Sequence, residues 1–211
     1  MTQPGDLAIN PPRQERSRQA WARILDAGVA LVEEGGYEAF TIAAVCERAQ
    51  VAPRALYDRT SSKEALFLAV YEHGIARMLA DQEVFTRQER WAALAGREAI
   101  DRAVRELAAI FDRHARFLKQ VVLLSGAHSE VRWRGREHVR RLADHFGGAV
   151  TAAQWPGTRT DLAEAVQWCF STVFSGLVLR LVYGSDFAAP DVDDAGYVDR
   201  LVLTAQRYLL V

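Results

Sequence analysis

A short stretch of the sequence places a basic residue, a tyrosine and a threonine at spacings that suit contact with nucleic acid. Two short helices joined by a tight turn and braced by a longer helix form a helix-turn-helix, whose second helix enters the major groove of DNA. Val45 and Ala49 would pack inward from the first short helix against Leu56 of the second. The residues that remain free to face outward, a set suited to DNA, are Thr41, Arg54, Ala55 and Tyr57.

Local signals predict the helices that would hold these residues. A first helix is predicted from about residue 14 to residue 34, because apolar residues recur along one stripe and Gly35-Gly36 follows as a stop. A second helix over 41–48 would begin at a threonine, a good N-cap. A third over 53–57 would begin with a proline, which suits a first helical turn. Only about four residues separate the second helix from the third.

The fourth helix has a sharper predicted start. The segment Ser61-Ser62-Lys63-Glu64 fits a capping box, in which the Ser61 hydroxyl and the Glu64 carboxylate satisfy each other's backbone donors. A long helix is therefore predicted from Ser62 past Met78. Further helices are predicted near residues 97–113, 114–125, 129–153, 160–184 and 193–210.

Composition is that of a soluble globular protein with one or two domains. Half of the 211 residues are hydrophobic and a quarter are charged. Apolar residues recur three and four apart with no sustained alternation, so the predicted fold is all-α. The longest apolar stretch, 166–182, is too short and too polar for a membrane span. The N-terminus lacks a secretory signal and both cysteines lie on predicted helices, so we expect reduced thiols and a cytoplasmic location.

The segment ILDAGVALVEEGGYEAFTIAAVCERAQVAPRALYDRTSSKEALFLAV resembles the N-terminal domain of the TetR family of bacterial transcriptional regulators. The resemblance covers roughly residues 20–70 in one register without a gap. It rests on Ile24-Leu25-Asp26-Ala27, Gly36-Tyr37, Thr41, Ala49, Val51, Leu56-Tyr57 and Lys63-Glu64-Ala65-Leu66. It implies a three-helix DNA-binding domain over 13–60 and a larger helical ligand-binding and dimerisation domain over 61–211. Residues 1–12 contain three prolines and no periodic apolar pattern, so they are predicted to form a disordered arm.

The same resemblance implies contacts with the DNA backbone. Thr41 would contact a phosphate at a helix N-terminus, Tyr57 would hydrogen-bond the backbone, and Lys63 would neutralise a phosphate. These contacts fix the register of the protein on DNA without reading sequence. An arm along the backbone or in the minor groove would use Arg13, Arg16 and Arg18.

Base reading would belong to the second short helix. The resemblance assigns it to Pro53, Arg54 and Ala55, and of these only Arg54 can make a bidentate contact with guanine. The chain departs from the family pattern at Gln50, where glycine usually makes the turn, and at Thr60, where phenylalanine is common. These departures leave open an alternative, a helical small-molecule or protein-binding module that has lost specific DNA binding.

The two last predicted helices carry more apolar surface than one chain covers. The helix over 160–184 is apolar nearly all round, and the last helix adds a second apolar stripe. Together they predict a homodimer with a two-fold four-helix interface, and the resemblance implies the same pairing. The alternative is that this pair of helices only covers its own core.

The resemblance also implies an effector pocket in the larger domain. Its candidate lining consists of aromatic and flexible residues, each of which is individually more typical of plain core: Met78, Phe111, Phe117, Trp133, Phe146, Trp168 and Phe174. Such a lining favours an apolar or aromatic effector. Polar anchors for it would be His114, Arg116 or His128.

Motifs for catalysis, cofactors or metals are absent from the sequence. There is no P-loop, no G-x-G-x-x-G, no H-E-x-x-H and no nucleophile elbow. The acidic residues around Asp193 faintly resemble a calcium loop, but they are predicted to cap the last helix. His138 and His145 lack further ligands for a metal. The chain is therefore expected to be a ligand-responsive repressor without cofactor, metal or enzymatic activity, whose partners are operator DNA, an effector and a second copy of itself.

Overall fold

The computed structural model describes residues 15–157, 160–187 and 189–210, and over these ranges the fold is all-α as predicted. A helix-turn-helix region near the N-terminus is followed by a larger helical part. The arm predicted over 1–12 lies outside the described residues. The helices are α1 (Glu15–Ala39), α2 (Ile42–Ala49), α3 (Pro53–Tyr57), α4 (Lys63–Gln82), α5 (Gln88–Ala92), α6 (Gly96–Arg113), α7 (Ala115–Ser125), α8 (Ser129–Thr151), α9 (Leu162–Tyr183) and α10 (Asp194–Leu209).

Two features of these helices differ from the sequence prediction. At the predicted Gly35-Gly36 stop both glycines have non-helical backbone angles, with a φ of +64° at Gly36, and a short helical segment then continues to Ala39. Glycine adopts a positive φ at no steric cost, so helical geometry breaks at the predicted place and the chain turns there. A 3-10 turn over Glu83–Phe85 and the five-residue α5 were not predicted, because they are too short to show a helical period.

The predicted capping box at the start of α4 is wrong by one residue. The Ser62 hydroxyl accepts the N–H of Ala65 at 3.1 Å, so Ser62 caps this end of the helix. The residue three positions after Ser62 is an alanine, which has no carboxylate with which to complete the box. The carboxylate of Glu64 instead contacts the Tyr37 hydroxyl at 3.2 Å and His128 Nε2 at 2.6 Å.

The chain divides into two compact units, one of residues up to 78 with 116–133, and one of 79–115 with 134–211. The first unit holds α1 to α3, most of α4, and α7. Its core includes Phe40, Leu56 and Phe67, all fully buried, and the rings of Phe40 and Phe67 lie 5.5 Å apart. Because Phe67 on α4 shares this core, the compact unit extends past residue 60, where the sequence predicted a boundary. The functional division at that residue stays a prediction.

A row of aromatic rings forms the centre of the second unit. Successive ring centroids lie 5.3–5.8 Å apart along the order Trp91, Phe85, Phe146, Phe170, Phe174 and Phe111. Such offset and edge-to-face contacts stabilise a core beyond the area that they bury. The start of α10 is capped as predicted, since Asp193 Oδ1 accepts the N–H of Gly196 at 2.8 Å. Cys169 is also buried in this unit, and burial raises the pKa of its thiol to about 11.

Helix α9 has apolar side chains that the chain itself leaves uncovered. It is the one described helix whose length and composition would suffice to cross a bilayer, with a mean hydropathy of 1.5 over 18 residues, a third of them buried. Core helices of soluble proteins meet the same criterion. On α9 and α10 together, the large exposed side chains include Trp168 at 62% exposure, Leu203 at 45% and Tyr208 at 46%.

Candidate nucleic-acid interface

The turn between α2 and α3 forms without glycine. Thr41 is the N-cap of α2, and its Oγ1 accepts the N–H of Ala44 at 3.1 Å as predicted. Gln50 is the C-cap of α2 and has a left-handed backbone (φ 53°, ψ 49°), and the N–H of Val51 donates to the Cys46 carbonyl at 3.0 Å. The positive φ expected at residue 50 is therefore present in a residue with a Cβ.

Gln50→Gly is expected to stabilise the protein by about 1 kcal/mol, because glycine has no Cβ to strain at positive φ. The measurement is the free energy of unfolding from urea denaturation. Glu47→Gly is the matched control, since Glu47 lies on the exposed side of α2. Glycine inside a helix should destabilise by about 1 kcal/mol. Equal effects of the two substitutions would contradict the strain at residue 50.

The inward and outward faces of the helix-turn-helix are those that the sequence predicts. Val45 and Leu56 are fully buried and Ala49 is 4% exposed. On α3, Leu56 is the one buried residue, and the other four side chains are exposed, including Tyr57 at 60%. Among the described residues, the guanidinium of Arg54 has no hydrogen-bonding or ion-pair partner, so this cation is available to a ligand.

An ion pair that no sequence pattern predicts connects α2 to α1. Both guanidinium nitrogens Nη1 and Nη2 of Arg48 lie 2.7 Å from the carboxylate oxygens of Glu34. The hydrogen bond from Arg48 lowers the pKa of Glu34, so the pair is ionised at neutral pH. A bidentate pair has a defined geometry, so this pair adds a directional contact between α1 and α2 at the surface of the protein.

Thr60 occupies the position where the family pattern favours phenylalanine, and it is 2% exposed. Its hydroxyl donates to the Ser62 carbonyl at 3.1 Å, close to the start of α4. A hydrogen bond thus replaces part of the packing that an aromatic ring would supply.

Two further cations predicted to face DNA, Lys63 and Arg18, contact neighbouring groups in this structure. Lys63 Nζ lies 4.1 Å from the ring centroid of Tyr37 and 3.4 Å from the Tyr37 carbonyl oxygen, and its side chain is half-buried. Arg18 pairs with Glu15, whereas Arg16 is exposed. Arg13 lies outside the described residues.

The seven residues predicted to line an effector pocket divide between the two units. Met78, Phe117 and Trp133 belong to the first unit, and the members in the second are Phe111, Phe146, Trp168 and Phe174. Phe146 lies within the aromatic row, and Phe117 packs directly over the backbone of Gly74. The polar candidates His114 and His128 are paired with Asp81 at 2.7 Å and Glu64 at 2.6 Å.

Two cavities lie in the second unit, and each is lined by one of the seven predicted residues. A groove of about 280 Å³ between α9 and α10 includes Trp168, Thr172, Leu201 and Tyr208. A cavity of about 460 Å³ between α6, α9 and α10 has Phe111 and Leu177 in its wall and Arg105, Arg180 and Tyr197 among its polar groups. In the described ranges, no three His, Cys, Asp or Glu side chains come close enough to hold a metal ion.

Comparison with known proteins finds similarity concentrated in the N-terminal helices. Residues 24–70 match the family model described as bacterial regulatory proteins, tetR family. Over 73 residues the chain is 40% identical to the HTH-type transcriptional repressor KstR of Rhodococcus jostii, an alignment that covers 35% of this chain and 32% of that protein. Over 71 residues it is 34% identical to the A-factor receptor protein of Streptomyces griseus, covering 34% and 26% of the two chains. The chain thus spans about a third or less of these relatives.

The similarity of fold extends much further than that of sequence. The crystal structure of a TetR-like transcriptional regulator from Rhodococcus sp. RHA1 superposes with a TM-score of 0.65 over 93% of this chain and 98% of that one. The two sequences are 18% identical over this region. The helical architecture is therefore shared over nearly the whole chain, well beyond the residues 24–70 that match the family model.

Proposed function

Since the chain belongs to the TetR family of bacterial regulatory proteins through its N-terminal domain, we propose that it is a cytoplasmic, ligand-responsive transcriptional repressor that binds a palindromic operator as a homodimer. The observation that carries this proposal is the outer face of α3, where Arg54 and Tyr57 are exposed next to a fully buried Leu56. A short helix that buries one side chain and presents the others is suited to entering the major groove.

The proposed contacts separate into those that position the protein and those that read bases. Thr41, Tyr57 and Lys63 would bind phosphates, an interaction that depends strongly on salt and little on sequence. Pro53, Arg54 and Ala55 would face base edges. Arg54 has a free guanidinium whose two parallel N–H donors match the O6 and N7 acceptors of guanine.

Dimerisation through α9 and α10 is supported by the apolar surface that these helices leave exposed. Trp168 and Tyr208 stand at the two sides of the 280 Å³ groove with Thr172 and Leu201. Tryptophan and tyrosine are enriched among the residues that dominate interface energies. Two-fold pairing of the same face on two copies would bury these side chains. A dimer that binds successive major grooves requires its two recognition helices to lie about 34–36 Å apart.

The effector site is supported by the cavity in the second unit. Its volume of about 460 Å³ lies within the usual range for small-molecule sites, and its wall is mainly apolar with a few polar groups. An apolar or aromatic effector fits this lining. A ligand that prefers a conformer with wrongly spaced recognition helices must weaken DNA binding by its preference ratio.

The proposed function is tested by footprinting the purified protein on the intergenic DNA upstream of its own gene. The expected result is protection of two half-sites about one helical turn apart by a single dimer, with an affinity that falls as salt rises. Sedimentation of the complex gives the number of chains per site. Uniform protection along the DNA, or none at any salt concentration, would favour the alternative of a helical sensor that has lost specific DNA binding.

A further inference from the structure

Four side chains of the first unit form a connected group, the Glu64 cluster, which consists of Tyr37, Lys63, Glu64 and His128. Lys63 Nζ lies over the Tyr37 ring, 4.1 Å from its centroid. The Tyr37 hydroxyl donates to Glu64 Oε2 at 3.2 Å, and Glu64 Oε1 lies 2.6 Å from His128 Nε2. One carboxylate therefore joins the end of α1, the start of α4 and the residue that precedes α8.

The protonation of the cluster follows from its hydrogen bonds. His128 Nδ1 accepts the N–H of Val131 at 3.3 Å, in the first turn of α8. A neutral imidazole has one acceptor nitrogen and one donor nitrogen, so Nε2 carries the proton and donates to Glu64. Burial and the adjacent Glu64 both raise the pKa of Tyr37, so its hydroxyl remains protonated and continues to donate.

Packing fixes the orientation of the imidazole as well. The His128 side chain is 15% exposed, and its ring lies 6.3 Å from the ring of Tyr37 and 6.0 Å from that of Phe67. A ring held by two hydrogen bonds and two aromatic neighbours has one arrangement in which all of these contacts are made. His128 thus constrains the Glu64 carboxylate, and Glu64 constrains the Tyr37 ring together with the Phe67 ring, which packs edge-on against it at 4.7 Å.

We propose that Glu64 and His128 are positioning residues that hold Lys63 for contact with the DNA backbone. This inference rests on the proposed function, in which Lys63 binds a phosphate. A lysine side chain has a flexible four-carbon stem, and the entropy lost when it becomes ordered lowers affinity. A lysine that is already held before DNA binds avoids this loss. The Tyr37 ring and carbonyl hold the Lys63 ammonium group, which has three N–H donors and so retains donors for a phosphate oxygen.

The cluster also gives α8 an influence on DNA affinity. His128 caps the start of α8, and that helix continues to Thr151, within the range of the second unit. A change at the start of α8 that displaces His128 would shift the position of the Glu64 carboxylate. The Tyr37 ring, which lies against Lys63, would then shift as well. Such a change would lower the affinity for DNA of every sequence without altering which bases are recognised.

His128→Asn tests the proposal most selectively. Asparagine keeps a side-chain acceptor at the N-terminus of α8 but removes the ring nitrogen that Glu64 contacts. We expect affinity for operator and for unrelated DNA to fall by the same factor, roughly tenfold, which is the size of one hydrogen bond to a charged group. Tyr37→Phe, which keeps the ring under Lys63 and removes the hydroxyl, should have an effect in the same direction. His145→Asn, on an exposed position of α8, is the matched control and should bind as wild type does.

A double-mutant cycle separates positioning from general destabilisation. If His128 acts through Lys63, adding His128→Asn to Lys63→Ala should cause no further loss of DNA affinity. Imidazole ¹⁵N NMR should show His128 in the Nε2-protonated form with Nδ1 unprotonated. Provided that the wild-type protein binds DNA, any of three results would overturn the proposal. These are a proton on His128 Nδ1, losses of affinity that add in the cycle, and a His128→Asn protein that binds DNA as tightly as wild type. Wild-type protein that binds no operator would overturn the proposed function itself, a result distinct from any of these.

Discussion

Trp168→Asp is expected to convert the protein from a dimer to a monomer and to weaken operator binding by at least 100-fold. Trp168 is 62% exposed on α9 and borders the groove shared with α10. In a two-fold interface each substitution is present twice, so two carboxylates would be desolvated without partners. Loss of a central tryptophan alone commonly costs about 2–4 kcal/mol of association free energy. A monomer would contact only one half-site of the operator and would lose the binding free energy that the second half-site supplies.

Sedimentation velocity over a concentration series measures this change directly. Trp133→Asp is the matched control, because Trp133 is also an exposed tryptophan, at 39%, but lies on α8. The control should remain dimeric. Wild-type protein that sediments as a monomer, or a Trp168→Asp protein that dimerises as wild type does, would contradict pairing through α9 and α10.

Gly74→Ala is expected to destabilise the protein by about 3 kcal/mol, the upper part of the usual range for an overpacked core. A Cβ at residue 74 would overlap the ring of Phe117 at Cζ. Phe117 is 2% exposed, so its ring has no solvent into which to move. Interiors are packed as densely as organic crystals, and one methyl group inserted there displaces its neighbours. The measurement is the free energy of unfolding from urea denaturation.

Gly147→Ala provides the opposite result from the same chemical change. Gly147 lies inside α8 with nothing within 4 Å of a Cβ built there, so alanine should stabilise by about 1 kcal/mol through helix propensity. Phe117→Leu should recover part of the loss in Gly74→Ala, because a smaller side chain makes room for the methyl group. If Gly74→Ala destabilises the wild-type protein no more than it destabilises the Phe117→Leu protein, overlap with the Phe117 ring is not the cause of the loss.

The parts of the fold that the sequence predicts are those fixed by local chemistry. Thr41, Pro53 and Asp193 cap or begin helices through groups within three residues along the chain, and each does so in the structure. The left-handed turn at Gln50 follows from the family resemblance, in which glycine usually makes the turn at this position. The outward face of α3 follows from Leu56, the one large aliphatic side chain of this helix, which packs inward.

The features that the sequence did not predict depend on contacts between distant segments. Glu64 and His128 are far apart along the chain and no spacing rule connects them, whereas the local pattern Ser61-Ser62-Lys63-Glu64 predicts a capping box. Trp91 is fully buried with its Nε1 donating to the Val84 carbonyl at 3.0 Å, in a segment too short to show a period. Aromatic residues such as Phe146 have the same sequence signature whether they line a pocket or fill a core.

The central claim is that α3 recognises DNA bases while Lys63 of α4 binds the DNA backbone. Its most direct test is a titration of three proteins followed by fluorescence anisotropy. Wild type, Arg54→Ala and Lys63→Ala are each titrated with the operator, its single-base variants and unrelated DNA over a salt series. Arg54→Ala should lose about 1–3 kcal/mol of discrimination at one base pair. Lys63→Ala should weaken binding to every DNA and reduce the salt slope by about 1. Equal affinity of all three proteins for all DNA sequences would contradict the claim.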